Sequence, residues 1–145
     1  MKNRNLEHKN DWQTPKSLIM ELEKEFWKMF DPCPFQHDIN KWDWLKREWG
    51  AVNFINPPYS LDLKVAFVKK AIEESKRTRY LSQEAKTCIM LLPVSTSTKL
   101  FHEHILPNKK EIRFLKGRVK FSWWNTKWEW VTNKCWMHDS MIVIF

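Results

Sequence analysis

Behind the apolar run Val52-Asn53-Phe54-Ile55 stands the segment Asn56-Pro57-Pro58-Tyr59-Ser60, whose residue types suit it to holding a planar amine and its ring. Two successive prolines fix φ and carry no N–H, so the backbone is stiff and extended, and the Pro57 carbonyl has no local donor to fold onto. The side-chain oxygen of Asn56 and that carbonyl are then placed to accept together from one exocyclic NH2. Paired acceptors of this kind draw an amine out of conjugation with its ring and leave its lone pair free to attack an electrophile. Tyr59 offers a face on which the ring stacks. These are the parts of a site that alkylates an amino group, with Asn56, Pro57, Pro58 and Tyr59 as candidate catalytic residues. The plain alternative is a rigid turn behind a strand.

Such a segment needs elements to position it, and the chain supplies them in alternation. Asp11-Trp12-Gln13-Thr14-Pro15 opens a helix, with Thr14 as N-cap and Pro15 at the first helical position. Leu18, Leu22, Phe26 and Met29 mark its buried face through about Phe30. A very short strand follows at Phe30, with Asp31 at its tip before Pro32-Cys33-Pro34. A short helix is expected around Lys41–Trp49 and a strand over Ala51–Ile55. A second amphipathic helix starts at Ser60 or Leu61, carries Val65, Val68, Ala71 and Ile72, and fades in the charged stretch Lys76–Arg79. Cys88–Leu92 is a continuous apolar run stopped by Pro93, the pattern of a strand buried on both faces. A third helix is expected from about Lys99 to Leu106. Short strands follow at Ile112–Leu115 and Val119–Phe121, and Ser140–Phe145 closes the chain as a strand. Strands alternating with amphipathic helices predict an α/β fold with a mainly parallel sheet. Ligands of such sheets sit at the carboxyl ends of strands, where Asp31, Asn56 and Pro93 all fall, so Asp31 and Asn56 are expected to share one crevice.

The 145 residues predict a single domain, whose residues 1–10 form a flexible tail. No stretch approaches the roughly 20 apolar residues of a membrane span, and the charged N-terminal residues give no secretory signal, so a cytoplasmic protein is expected. Lys and Arg number 25 against 17 Asp and Glu, and the net charge of +8 favours a polyanionic partner such as nucleic acid over a merely solvated basic surface. Three cysteines cannot pair completely and suit a reducing compartment. The two glycines, Gly50 and Gly117, exclude a Gly-rich phosphate loop of the P-loop type. Cys33, His37, Cys135 and His138 lack a finger-like context, and no metal site is expected. A nuclease is disfavoured by the lack of a carboxylate cluster at useful spacing.

The series Trp12-Gln13-Thr14-Pro15, Asp31-Pro32-Cys33, Asp43, Trp49 and Phe54-Ile55-Asn56-Pro57-Pro58-Tyr59-Ser60 resembles the small phage and prophage Dam-type DNA adenine methyltransferases. The resemblance continues through Met90-Leu91-Leu92-Pro93 with Thr96 and Thr98, and Gly117-Arg118-Val119-Lys120-Phe121, to the terminal strand. It implies a Rossmann-like fold that uses S-adenosylmethionine to methylate the exocyclic amine of an adenine flipped out of double-stranded DNA. By position it implies that Asn56, Pro57, Pro58 and Tyr59 form the catalytic motif, that Thr14 and Pro15 line the methionine end of the cofactor, and that Asp31 with the adjoining Cys33 lies near its amine. Asp43 matches an acid beside the cofactor's adenine. Where the wider methyltransferase pattern has an acid before a Gly-x-Gly turn, Asp31 is followed by Pro32-Cys33-Pro34.

Residues 116–138 are the candidate DNA-contacting segment, with Arg118, Lys120, Lys127 and Lys134 interleaved with Trp123, Trp124, Trp128 and Trp130. Among these, Arg118, Lys120, Lys127 and Trp124 are the leading candidates for DNA binding. The same tryptophans could instead pack one face of a hairpin. Three rival functions are a protein-glutamine methyltransferase, an RNA methyltransferase, and a catalytically silent DNA-binding remnant. The first gives no reason for the net positive charge. The remnant sits poorly with the intact Asn56–Tyr59 segment.

Overall fold

The computed structural model describes residues 12–35, 43–124, 127, 129–135 and 138–145. The tail 1–10, part of the expected helix around 41–49, His37 and Trp128 lie outside the described residues.

The first helix, α1, spans Lys16–Phe26. Pro15, and not Thr14, occupies its N-cap, at ψ 136°, so the helix starts one residue later than expected. The Pro15 carbonyl accepts from the N–H groups of Leu18 and Ile19. The helix also stops short of Phe30, because Trp27 turns to φ 62° while its N–H still bonds the Glu23 carbonyl. The chain then comes back as a single bridge, in which Phe30 pairs in parallel with Asn53 of β1 (Val52–Ile55). Gly50 makes this approach possible, since a Cβ there would stand 2.9 Å from that of Phe30. Residues 43–50 form turns and not the expected helix.

Helix α2 (Leu61–Ser75) leads from β1 to β2 (Thr87–Pro93), which pairs in parallel with β1. The expected third helix is π-helical over Leu100–Ile105 and ends in the short α3 (Leu106–Asn108), which contains Pro107. Strand β3 (Glu111–Phe114) follows, then a hairpin of β4 (Lys120–Trp124) and β5 (Trp130–Cys135), then β6 (Ser140–Ile144). The main sheet has the order β1-β2-β6-β3, and β4-β5 is a separate pair.

The α/β architecture matches expectation, but the sheet is mixed and not mainly parallel. Strand β6 is antiparallel to both β2 and β3, which leaves β1-β2 as the parallel pair of named strands. The cause lies in the connection. A parallel neighbour needs a crossover, usually a helix, whereas β6 is reached from β3 through the β4-β5 hairpin and inserts in reverse between β3 and β2.

Both faces of this sheet are apolar, and both are covered. Along β2 the side chains alternate, with Cys88, Met90 and Leu92 on one face and Ile89 and Leu91 on the other. The first face packs under Phe67, Val68, Ala71 and Ile72 of α2 and under Phe101 and Ile105 of the π-helical segment. The second packs under Leu22 of α1 and under Val119 and Phe121 at the start of the hairpin.

A cluster of charged groups is sealed into this body. Glu74 of α2 is fully buried, with Lys70 Nζ at 2.9 Å and Lys86 Nζ at 3.2 Å, and it accepts from the Trp49 N–H at 3.3 Å. Lys86 also donates to the Trp49 carbonyl and to Glu48, both at 2.8 Å, which ties the start of β1 to α2 and β2. Burial pushes the Glu74 carboxyl up, yet the two lysines and the Trp49 N–H together hold it below its ordinary value near 4.5. Its stabilising contribution is therefore complete above the unfolded pKa and is lost as pH falls through the lowered folded one. Glu74→Ala is expected to cost about 3–5 kcal/mol by leaving lysine charge buried without its partner. Urea unfolding at neutral pH measures that loss. Repeating it across the acid range should show a shallower decline in the variant than in the wild type.

Candidate functional site

The parallel bridge at Phe30 and the end of β1 bring two chemically useful residues side by side, because each is the next residue beyond the pairing. Asp31 follows Phe30, and Asn56 follows Ile55. Both border a cavity of about 320 Å³, together with Trp12, Gln13, Thr14 and Cys33. Lys16, Ile19, Phe35 and Phe54 complete much of the wall. The crevice expected from the strand ends is thus present, and it gathers Thr14, Asp31, Cys33 and Asn56.

Asn56 is held in a definite orientation. Its Nδ2 donates to the Trp12 carbonyl at 3.2 Å, while its Oδ1 is shielded from solvent and has no hydrogen-bond partner among the described residues. An unsatisfied buried acceptor costs free energy and is the exception in folded proteins. Here it stands at the strand end where an amine donor is expected to bind.

Asp31 forms an Asx-type turn, in which its Oδ1 accepts from the Cys33 N–H at 2.8 Å. This hydrogen bond shapes the turn that the sequence builds without glycine. Burial, reinforced by the Asp31 charge, pushes the Cys33 thiol up to about 12. At neutral pH the group is a neutral wall element and not a nucleophile.

The other expected site residues lie around this centre. Pro57 is buried and Pro58 half-buried behind Asn56. The Tyr59 hydroxyl donates to the Leu91 carbonyl at 3.3 Å, and its ring meets Phe121 edge-on with centroids 6.3 Å apart. Burial raises its pKa. Tyr59 thus packs against the face of the sheet covered by α1. Asp43 lies outside the cavity wall, where its carboxylate accepts from the Leu45 N–H at 3.1 Å and faces Lys46 at 3.5 Å. Pro15 borders a second, more open groove of about 410 Å³, whose wall includes Arg118 and Lys120. Lys116 joins them there, a cation that the motif reading did not single out. Arg118 lies 3.8 Å from the Asp139 carboxylate. Lys127 is exposed in the β4-β5 connection, and Trp124 belongs to β4, its side chain lying outside the described residues.

Two contributors entered the sequence reading as the approach to a helix and as part of the resemblance, without a role at the site. Trp12 supplies the carbonyl that holds Asn56, and Gln13 forms an antiparallel bridge with Ser122 of β4. The available signal was their position immediately before Thr14-Pro15.

The state of Cys33 is directly checkable. In the native protein at pH 7.5, iodoacetamide should alkylate Cys33 far more slowly than in urea, as followed by peptide mass spectrometry. Native labelling as fast as that of the unfolded chain would contradict the raised pKa.

No curated protein and no solved structure matches the chain. A family model does: the one described as DNA N-6-adenine-methyltransferase (Dam) matches residues 2–145. The chain belongs to this family and is an enzyme that methylates the N6 amine of adenine in DNA.

Proposed function

We propose that the methyl donor is S-adenosylmethionine, that the substrate is an adenine flipped out of double-stranded DNA, and that Asn56 and the Pro57 carbonyl hold its amine. The observation that carries this reading is the Asn56 side chain at the cavity wall, with its donor end occupied by the Trp12 carbonyl and its acceptor end without a hydrogen-bond partner among the described residues. The architecture supports a Rossmann-like assignment, since helices cover both sheet faces and the cavity lies at the carboxyl ends of the Phe30 bridge and β1.

The residues present fit the cofactor. The cavity lies within the range of roughly 300–1,000 Å³ usual for small-molecule sites. Its wall combines apolar surface from Ile19 and Phe54 with the Asp31 carboxylate, the Thr14 hydroxyl and Lys16. Asp31 would hold the amine of the methionine end, and Thr14, at the start of α1, would line that end. Cys33 would add a neutral contact. Pro15 acts by capping α1 beside the wall, and Asp43 would have to act from beyond it. When bound, S-adenosylmethionine supplies an electrophilic methyl group on a sulfonium sulfur.

The chain's own part is to bind, orient and exclude water. Extrusion of the base costs a few kcal/mol, and a ring stacked on an aromatic platform recovers about 1–3 kcal/mol. Tyr59 is the candidate for that platform, and it would serve by turning its ring from Phe121 toward the base. Asn56 Oδ1 and the Pro57 carbonyl accept from the amine hydrogens and set the direction of its lone pair. No strong base is required of the chain, because an amine made cationic gives up its proton to water. Near-attack positioning of this kind supplies a large part of a barrier reduction. Arg118, Lys120 and Lys127, with Trp124, would meet the DNA, and the compartment that fits these roles is the cytoplasm.

Transfer of labelled methyl from S-adenosylmethionine to unmodified duplex DNA tests the reading. Label should appear as N6-methyladenine and fall below about 1% of wild type in Asn56→Ala, on the scale of removing an oriented partner of the reacting group. Label on RNA or on protein glutamine, with none on DNA, would overturn the substrate assignment.

Salt dependence tests the surface. Arg118→Ala and Lys120→Ala should each lower the slope of log K against log salt by about 1, the change expected when one phosphate contact is lost. Unchanged slopes would remove these residues from the interface.

A further inference from the structure

The orientation of Asn56 depends on a residue that does not belong to its own motif. A side-chain amide has two ends of nearly equal size, and free in a cavity wall it would rotate between them. The partner that breaks the tie is the Trp12 carbonyl, 3.2 Å from Nδ2. A carbonyl oxygen only accepts, so the reversed amide would set two oxygen lone pairs against each other. The Trp12 carbonyl thereby decides that Asn56 presents its acceptor and not its donor.

That carbonyl shares a planar peptide unit with the Gln13 N–H, which donates to the Ser122 carbonyl, and the side chain of Trp12 packs beside this bridge. The Trp12 indole lies between Phe121, at 5.8 Å and edge-on, and Trp123, at 4.7 Å and tilted. Both flanking rings are buried in the structure. Between them on β4 stands Ser122, which exchanges backbone hydrogen bonds with Gln13, at 2.9 Å to the Ser122 carbonyl and 3.3 Å from its N–H. The segment entering α1 is therefore held along the edge of β4 by a backbone bridge, with an aromatic clamp on either side of it. The clamp belongs to the hairpin whose far connection carries Lys127.

We propose that Trp12 is the positioning residue for Asn56: its indole, seated between Phe121 and Trp123, holds its own carbonyl where it orients the Asn56 amide for the substrate amine. The inference rests on the reading of Asn56 as an acceptor for that amine. It assigns to the residue before the Gln13-Thr14-Pro15 turn a role beyond opening a helix. Trp12 also borders the cavity, and the role proposed for it is to orient Asn56, not to act on the methyl group.

The experiment measures kcat and KM for duplex DNA, with saturating S-adenosylmethionine, in Trp12→Phe, Trp12→Ala and Trp123→Leu, alongside thermal unfolding of each. Trp12→Phe keeps an aromatic ring in the clamp and should stay within about threefold of wild-type kcat. Trp12→Ala should lose about 10²-fold in kcat, the scale of an ångström-sized misplacement, with KM for DNA changed less than threefold. Trp123→Leu loosens the clamp without altering the carbonyl-bearing residue and should show the same kcat-weighted loss; it serves as the deciding variant if Trp12→Ala does not fold. A rise in KM with kcat preserved would make Trp12 a DNA-contact residue, and equal kcat in Trp12→Phe and Trp12→Ala would make it a spectator. Either result overturns the proposal. Asn56→Ala is run in parallel: full activity in that variant would defeat the underlying reading of Asn56, whereas its inactivity beside an unaffected Trp12→Ala would defeat the positioning role alone.

Discussion

The structure depends on one constraint: the central pair β2-β6 is apolar on both faces, so it must be covered twice. Met90, Leu92, Met141 and Val143 need one cover, and Ile89, Leu91, Ile142 and Ile144 need another. Helix α2 and the π-helical segment supply the first. The second is shared by α1 and the start of the β4-β5 hairpin, elements far apart in the chain that meet over the same face. That meeting places Gln13 against Ser122 and brings the Trp12 carbonyl to Asn56. The site is therefore a by-product of how the second face is closed.

A buried ionic cluster steadies the opposite cover. Glu74 reaches Lys70 on its own helix and Lys86 just before β2, and it accepts from the backbone at Trp49. A charge desolvated in this way is tolerated only with close partners, and each partner comes from a segment bordering β1 or β2. The cluster thus fixes how α2 sits against the parallel pair, and through that pair where β1 ends. Gly50 and Asn53 act at the same corner. Gly50 admits Phe30 at close range, and Asn53 donates to the Gly50 and Thr87 carbonyls. The Phe30 bridge follows, and with it the position of Asp31 beside Asn56.

Tyr59 and Asp43 show where motif reading and geometry part. The resemblance led to the expectation that each serves the site; in the structure Tyr59 donates to the Leu91 carbonyl and Asp43 accepts from the Leu45 N–H of its own turn. Local hydrogen bonds and ring packing claim such side chains when no ligand competes for them. The groove lined by Lys116, Arg118 and Lys120 went the other way. Residues spread over a stretch of irregular chain converge on the flank of α1, and they do so because Gly117, at φ 75°, turns the backbone between them.

The sequence by itself determined the strands and helices that carry strong local pattern. The alternating apolar run of β2, the amphipathic α2, the rigid Asn56-Pro57-Pro58 exit from β1 and the acid at Asp31 were all legible, because short-range sterics and burial period dictate them. The shared crevice of Asp31 and Asn56 followed from the rule that α/β ligands lie at strand ends. Tertiary structure alone decided the reversed insertion of β6 and the partnership of Trp12 with Asn56. Each depends on contacts between segments distant in the chain. A hydrogen bond between residues 44 positions apart leaves no mark on local propensity, and only the packed fold brings its two ends together.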